Sequence, residues 1–371
     1  MECLEKAGCS QDKSCYMENG ILKAFDIKKP DTDIYKAIRK NLDGIAKPID
    51  GLGRFEDLIA RLGAIQGSEQ IDISKKAVII MCADNGIVAE GISQSGQEVT
   101  LAVAKNMAAK TSSVCRMAKH IGADTIPVDI GMNTTEQVEG VLNKKVAFGT
   151  GNFKNEPAMS RDEVLQAVLV GMEMVKECKE KGYTLLATGE MGIGNTTTSS
   201  ACAAALLHCK AAKVTGRGAG LCDEALRHKI EVIDEALEKY DLYHADALEI
   251  LQTVGGLDLC GIAGICIGGA AYQVPIVLDG IISMVGALFA ERLVPGVREY
   301  LIPSHKGKEP AVQYLAKELC VDPVIEADMA LGEGTGAVMM FSLLDMALCI
   351  YQNRTTFSDI HIEEYERFQQ P

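Results

Sequence analysis

The chain has 371 residues, 47% hydrophobic and 24% charged, with 37 Lys and Arg against 51 Asp and Glu for a formal net charge of −14. That surplus of acid speaks against a nucleic-acid surface, which needs clustered cations, so any phosphate ligand must be held locally by backbone amides and one or two basic side chains. The length allows one large domain, or a large and a small one, with a core that needs no disulfide staples.

Thirteen cysteines occur without one C-x-x-C pair, and the chain opens without a recognisable signal peptide, so reduced thiols in a cytoplasmic protein are expected. Cys3, Cys9 and Cys15 stand six apart, a spacing that matches no common metal-ligand pattern. No apolar run reaches 18 residues without a Gly or a polar residue, so no membrane span is expected. The richest stretch, residues 255–278, carries Asp258, Gln273 and Pro275 and reads as buried core.

Residues 1–31 are polar and weakly periodic, an extension outside the main fold. Two amphipathic helices follow, with Ile34, Ala37, Ile38, Leu42 and Ile45 at helical spacing, then Phe55, Leu58, Ile59, Leu62 and Ile65. A Pro/Gly-punctuated turn, residues 47–54, separates them. From residue 77 short apolar runs alternate with helical stretches, at 77–82, 125–130, 183–187, 275–278 and 300–302. Runs of this length, each followed by a Gly- or Asp-containing loop and a helix, predict a parallel, Rossmann-like α/β sheet flanked by helices. The helices before the first strand and after the last have apolar faces to bury, and packing on each other is the simplest way. The expected division is therefore an extension (1–31), a small helical domain from both chain ends (32–72 and 337–371) and a large α/β domain (73–336).

The unusual residues fall just after the predicted strands. Ala83-Asp84-Asn85-Gly86, Gly131-Met132-Asn133, residues 188–195, Asp279-Gly280 and Ser304-His305-Lys306 all do so, which places them at the carboxyl edge where open α/β sheets bind ligands. Any one of these loops could be an ordinary turn. All five together point to an active site.

Residues 188–198 (TGEMGIGNTTT) are the strongest element, a strand followed by a glycine turn and a helix N-terminus. Free N–H groups and the helix dipole make that geometry a phosphate cradle, with Asn195 and the threonines as expected caps. The spacing nearly matches a P-loop, but Asn195 stands where the lysine that reaches a β- or γ-phosphate belongs, so a monophosphate fits better than ATP. A second stretch, residues 215–220 (TGRGAG), leads into a helix with Arg227 and Lys229. Either cation could neutralise a phosphate, although Lys229 taken alone fits a solvated helix face. In Gly332-Glu333-Gly334, opening a helix from Ala337 to Gln352, the glycines let another molecule approach. Glu333 could there act as a general base, or it could merely complement its helix dipole.

Together these segments resemble the nicotinate-nucleotide–dimethylbenzimidazole phosphoribosyltransferase family, which makes the lower-ligand nucleotide of cobalamin. The matching stretches, in the family's order over about residues 32–357, are 47–56 (KPIDGLGRFE), 83–100 (ADNGIVAEGISQSGQEVT), 149–160 (GTGNFKNEPAMS) and 189–197 (GEMGIGNTT), followed by 216–229 (GRGAGLCDEALRHK), 274–280 (VPIVLDG), 304–310 (SHKGKEP) and 331–337 (LGEGTGA). GEMGIGNTT and LGEGTGA in combination are the specific ones.

The resemblance implies that Glu333 is the general base and that Gly192, Gly194, Asn195 and Thr196 hold the phosphate. It further implies that Glu190 and Lys229 line the site, and that Ser93 and Gln97 lie in the base pocket. It implies a homodimer acting on small molecules, with no cofactor and no metal, since the leaving nicotinate is already a pyridinium cation. The rival readings are a non-catalytic nucleotide-binding protein and a P-loop-like NTPase. Asn85 departs from the A-D-H-G common in the family, Gly51 stands where S-L-G is common, and residues 1–31 have no counterpart.

Overall fold

The computed structural model describes residues 27–367, so Cys3, Cys9, Cys15 and most of the N-terminal extension lie outside the described residues. Helix α1 (Thr32–Asp43) starts where the Asp31 carboxylate accepts from the Asp33 and Ile34 N–H groups. Helix α2 (Arg54–Gln66) ends at Gly67, whose φ of +67° closes it in the left-handed region. Strand β1 (Lys76–Ala83) is buried over its whole length. Next come α3 (Glu98–Ala108), α4 (Ser113–His120), β2 (Asp124–Gly131) and the two-residue β3 (Leu142–Asn143). The long α5 (Arg161–Glu180) precedes β4 (Leu185–Met191), α6 (Asn195–Leu206) and α7 (Asp223–Lys239). After α8 (Ala247–Val254) and α9 (Leu257–Tyr272) come β5 (Ile276–Leu278), α10 (Ile281–Leu293) and β6 (Leu301–Pro303). The last elements are β7 (His305–Gly307), α11 (Val312–Leu319), β8 (Ile325–Met329) and α12 (Thr335–Gln352).

Six strands form one parallel sheet in the order β3-β2-β1-β4-β5-β6, the doubly wound order. Side chains alternate across it. Ala77, Ile79, Met81 and Ala83 of β1 join the core on one face, with α5, α6 and α8 to α10. Val78, Ile80 and Cys82 join the core on the other, with α1 to α4 and α12. The helices from the two chain ends therefore share one apolar layer, in which Ile38 and Leu42 meet Leu62, Phe341 and Leu344. An Asn41 to Tyr351 hydrogen bond (3.3 Å) and an antiparallel bridge between Ile45 and Thr356 also join the ends. On the opposite face α5 and α9 approach backbone to backbone. A methyl at Gly171 would stand 2.0 Å from the Gly261 carbonyl oxygen.

Several boundaries differ from the sequence expectation. Strand β4 begins at Leu185 rather than residue 183 and continues past residue 187 to Met191. Its in-register pairing with β1 up to Cys82 and Met191 carries Gly189 and Glu190 into the sheet, although neither favours strand. Helices α6 and α12 start earlier than predicted, at Asn195 and Thr335. The short β3 and the separate parallel pair β7–β8 were not expected. By length and composition α12 also qualifies as a membrane span, against the expectation of none, yet more than half of it is buried. Its Asp345 pairs with Lys76 Nζ at 2.6 Å.

Candidate active site

The five loops do converge, because each follows the carboxyl end of a strand in one parallel sheet. The order reverses between β1 and β4, the position where a doubly wound sheet leaves a crevice. There the loop after β4 is shorter than predicted. Thr188, Gly189 and Glu190 are strand residues, Asn195 and Thr196 open α6, and only residues 192–194 remain as the turn. Gly192 is required by close approach, since a methyl there would lie 2.4 Å from the Ala83 carbonyl oxygen. Gly194 is required by its φ of +94°.

The expected caps are not made. Gly194 is the N-cap of α6, and the Asn195 amide donates instead to Glu190 Oε2. Thr196 presents its hydroxyl to Lys229 Nζ, 3.0 Å away. Lys229 lies on α7 but is fully buried, donating also to the Gly216 carbonyl at 3.4 Å, so it is not on a solvated face. Burial pushes its amine down to about 8, with the Glu309 carboxylate opposing. Glu309 in turn accepts from the Gly218 N–H at 2.9 Å, which ties residues 216–220 to this corner.

Glu190 links the two motifs. One oxygen takes the Asn195 amide, and the other accepts from the Glu333 N–H at 3.3 Å. Glu333 itself has a φ of +62° between Gly332 and Gly334, at +82° and +98°. Its Oε2 accepts from the Val114 N–H at 3.1 Å, at the start of α4. Glu333 thus does complement a helix dipole, but that of another helix.

Two acids to which the sequence assigns no role of their own complete the cluster. Asp258, in the first turn of α9, is fully buried, and its Oδ2 has no hydrogen-bond partner. Asp279, after β5, accepts from the Gly334, Gly336 and Ala337 N–H groups at 3.2, 2.9 and 3.2 Å. The signal for Asp258 was a lone acid inside the apolar stretch 255–278. For Asp279 it was a carboxylate directly after a strand.

Burial raises Glu190 to about 7, with the nearby Asp279 and Glu333 charges adding to the shift and the Asn195 amide opposing it. Burial and then Glu190 raise Asp258 to about 7. Asp279 rises by burial to about 6, held down from there by its backbone donors.

Gln97 and Ser93 stand on the loop after β1. Gln97 donates to the Asn85 carbonyl (3.2 Å) and accepts from the Asn133 amide (3.3 Å), so it joins the β1 and β2 edges. Ser93 bonds within its own loop, to the Ser95 N–H at 3.3 Å. The adjacent Gln94 donates to the Gly220 carbonyl at 2.5 Å and brings this loop against residues 216–220. Glu190, Asn195, Thr196, Lys229 and Glu333 are joined by direct contacts around Gly192 and Gly194, Gln97 sits at the rim, and Ser93 is the most loosely attached.

Raised carboxyl pKa values have a defined consequence for stability. A carboxyl that titrates higher in the folded chain stabilises it fully below the unfolded value near 4, and that contribution is lost as pH rises through the folded value. For Glu190 and Asp258 the loss falls between roughly pH 4 and about 7. Glu190→Gln and Asp258→Asn should each recover about 1–3 kcal/mol at pH 8 and little at pH 5. Thermal melts across that range in phosphate-free buffer measure it, and variants with the wild-type pH slope would refute the burial of these charges.

A family model described as phosphoribosyltransferase matches residues 27–362. The nicotinate-nucleotide–dimethylbenzimidazole phosphoribosyltransferase of Acetivibrio thermocellus is 42% identical over 346 residues, covering 92% of this chain and 99% of that one. The protein of the same name from Clostridium acetobutylicum is 43% identical, covering 91% and 96%. The crystal structure of CobT from Thermus thermophilus superposes with a TM-score of 0.85 at 35% identity, over 90% of this chain and 100% of that one. With a matched architecture and sequence over nine-tenths of its length, the chain belongs to this phosphoribosyltransferase family.

Proposed function

We propose that the chain transfers the ribose 5-phosphate of nicotinate mononucleotide to 5,6-dimethylbenzimidazole or a related base, giving α-ribazole 5′-phosphate and nicotinate in cobalamin biosynthesis. The observation that carries this is Glu333, held among three consecutive left-handed residues at the sheet's carboxyl edge and joined through Glu190 to the turn that opens α6. Gly192, Gly194, Asn195 and Thr196 hold the 5′-phosphate at the α6 N-terminus, with Lys229 as its cation. A ring nitrogen of the base attacks C1′ as the C1′–nicotinate bond breaks, and the bond's electron pair leaves on the pyridinium nitrogen. Attack opposite the leaving group inverts β to α. The second ring nitrogen turns acidic as the new bond forms, and Glu333 takes its proton. Anchoring the phosphate supplies the orientation term, worth up to roughly 7–11 kcal/mol. Ser93 and Gln97 line the base pocket.

An NTPase is disfavoured because Asn195 occupies the P-loop lysine position and its amide is committed to Glu190. A non-catalytic nucleotide binder has no use for a strained carboxylate among glycines. The separation of an end-helix unit (32–72 and 337–371) from an α/β unit (73–336) is supported by the contacts between the two chain ends. A cytoplasmic location is supported by the ten described cysteines, all of them free thiols.

Glu333→Gln should keep the Val114 contact and the fold but lose about 10²–10⁴-fold in kcat, measured with dimethylbenzimidazole as acceptor. Wild-type turnover would remove Glu333 from the role of base. Lys229→Met keeps the buried stem and removes the charge, so the KM for nicotinate mononucleotide should rise about 10–100-fold and that for nicotinate riboside should not. Equal losses would make Lys229 purely structural. A homodimer is supported by Met339, Met346 and Ile350, which form one exposed apolar face on α12. Light scattering at micromolar concentration should give twice the 39.8 kDa chain mass, and an active monomer would refute it.

A further inference from the structure

A non-glycine residue in the left-handed region, such as Glu333, costs about 1–3 kcal/mol and persists only where its surroundings fix it. Two strands do so. From β4, Glu190 Oε1 takes the Glu333 N–H, and a methyl at Gly189 would stand 2.6 Å from the Glu333 carbonyl oxygen, so the turn lies directly on that strand. From β5, Asp279 receives three N–H groups on the far side of Glu333, with Gly334 on Oδ2 and Gly336 and Ala337 on Oδ1. These are the N–H groups that the start of α12 leaves open, and no side chain of the turn caps them. The cap therefore comes from another element, more than fifty residues earlier in the chain.

Asp279 is itself fixed. Its N–H donates to Thr188 Oγ1 (3.4 Å), and its carbonyl accepts from Ser304 Oγ (3.5 Å). Ser304 also bonds His305 Nδ1 at 2.9 Å, and that imidazole lies 4.0 Å from Asp279 Oδ1. A methyl at Gly336 would stand 2.9 Å from Asp279 Oδ1 and 2.0 Å from His305 Nδ1, so the packing leaves the carboxylate no second position. Its two oxygens set the spacing between β5 and the turn, and hence how far Glu333 projects over the end of β4.

We propose that Asp279 is a positioning residue for the reaction, its carboxylate holding the turn at 332–337 so that Glu333 meets the proton it removes. This rests on the reading of Glu333 as the base. In this role Asp279 acts through Glu333, so a loss that disappears without Glu333 separates it from a residue that merely stabilises the fold. A misplacement of about 1 Å can cost on the order of 10²-fold in rate. Asp279→Asn keeps Oδ1 as an acceptor but turns a donor toward the Gly334 N–H, which loosens the turn without emptying the site.

The test is a double-mutant cycle of Asp279→Asn and Glu333→Gln, with kcat at saturation and the Kd of nicotinate mononucleotide by calorimetry. Asp279→Asn alone is expected to lower kcat about 10–100-fold and to leave the nucleotide Kd within about threefold. In the Glu333→Gln background it should cost nothing further, because the group it positions is gone. Unchanged kcat, a Kd that weakens in step with kcat, or losses that multiply in the double variant would each overturn the proposal. Should Asp279→Asn not fold, Thr188→Val removes the hydroxyl behind Asp279 and is expected to give a smaller loss that also vanishes without Glu333. A loss that persists there overturns the proposal equally. A fully active Glu333→Gln overturns the base assignment itself, whereas an inactive Glu333→Gln beside a fully active Asp279→Asn overturns only the role of Asp279.

Discussion

The two hydrogen bonds of the Glu190 carboxylate connect everything else at the carboxyl edge. One goes to the Asn195 amide at the start of α6, the other to the Glu333 N–H in the turn before α12. The first element is a glycine turn suited to a phosphate, and the second carries the Glu333 carboxylate, which accepts from the Val114 N–H. Glu190 can join them because β4 runs on to Met191 under the pairing of β1, which places residue 190 at the sheet's end. That continuous pairing follows from a buried parallel sheet, whose strands need partners on both sides to satisfy their backbone. The site is thus a consequence of how far one strand extends.

The charge at this edge is unusual for a phosphate site. Glu190, Asp258 and Asp279 are buried together, and the cation in direct contact with the turn is Lys229, itself pushed down to about 8 by burial. Holding all three acids ionised would cost far more than the surroundings return, so burial raises each of them. The proposed substrate suits such a place. A pyridinium nucleotide carries its positive charge on the bond that breaks, and an oxocarbenium-like transition state keeps it at C1′. An ionised carboxylate nearby favours that charge, while the helix N-terminus and Lys229 would compensate a phosphate bound at the turn.

What could be read in the sequence was local. The apolar runs and the glycines gave the five edge loops, because strand period and turn chemistry act over a few residues. The two N-terminal helices appeared where Ile38, Leu42, Leu58 and Leu62 recur, and those residues are buried. What could not be read was which partner each polar group would choose. Asn195 looked like a cap and went to Glu190 instead. Lys229 looked solvated and is buried, because residues 215–220 fold over it. The residues alone left Glu333 between a base and a dipole-complementing acid. The resemblance favoured the base, and the structure adds a helix, α4, more than two hundred residues away in sequence. The Glu333–Val114 contact spans more than two hundred residues and the Asn195–Glu190 contact only five, yet both depend on how separate elements meet and not on a local signature.

Asn85 shows how one such contact can separate this chain from relatives that resemble it. Its side chain is buried beside Asp258, and a methyl at Gly256 would stand 2.6 Å from Asn85 Oδ1 and 2.5 Å from Asp258 Oδ1. The amide donates weakly, at 3.4 Å, to the Ile193 carbonyl in the β4–α6 turn, and its Oδ1 has no donor. An imidazole here, as in A-D-H-G, could carry a positive charge next to Asp258; an amide cannot. Asp258 therefore faces its burial without a cation, which fits its rise to about 7 and its unpartnered Oδ2. Asn85 Oδ1 and Asp258 Oδ2 both stand without a hydrogen-bond partner, so the corner holds a neutral amide beside a buried acid where A-D-H-G would place an imidazole. An amide in place of an imidazole thus removes a titratable base from this corner, directly behind the glycine turn between β4 and α6.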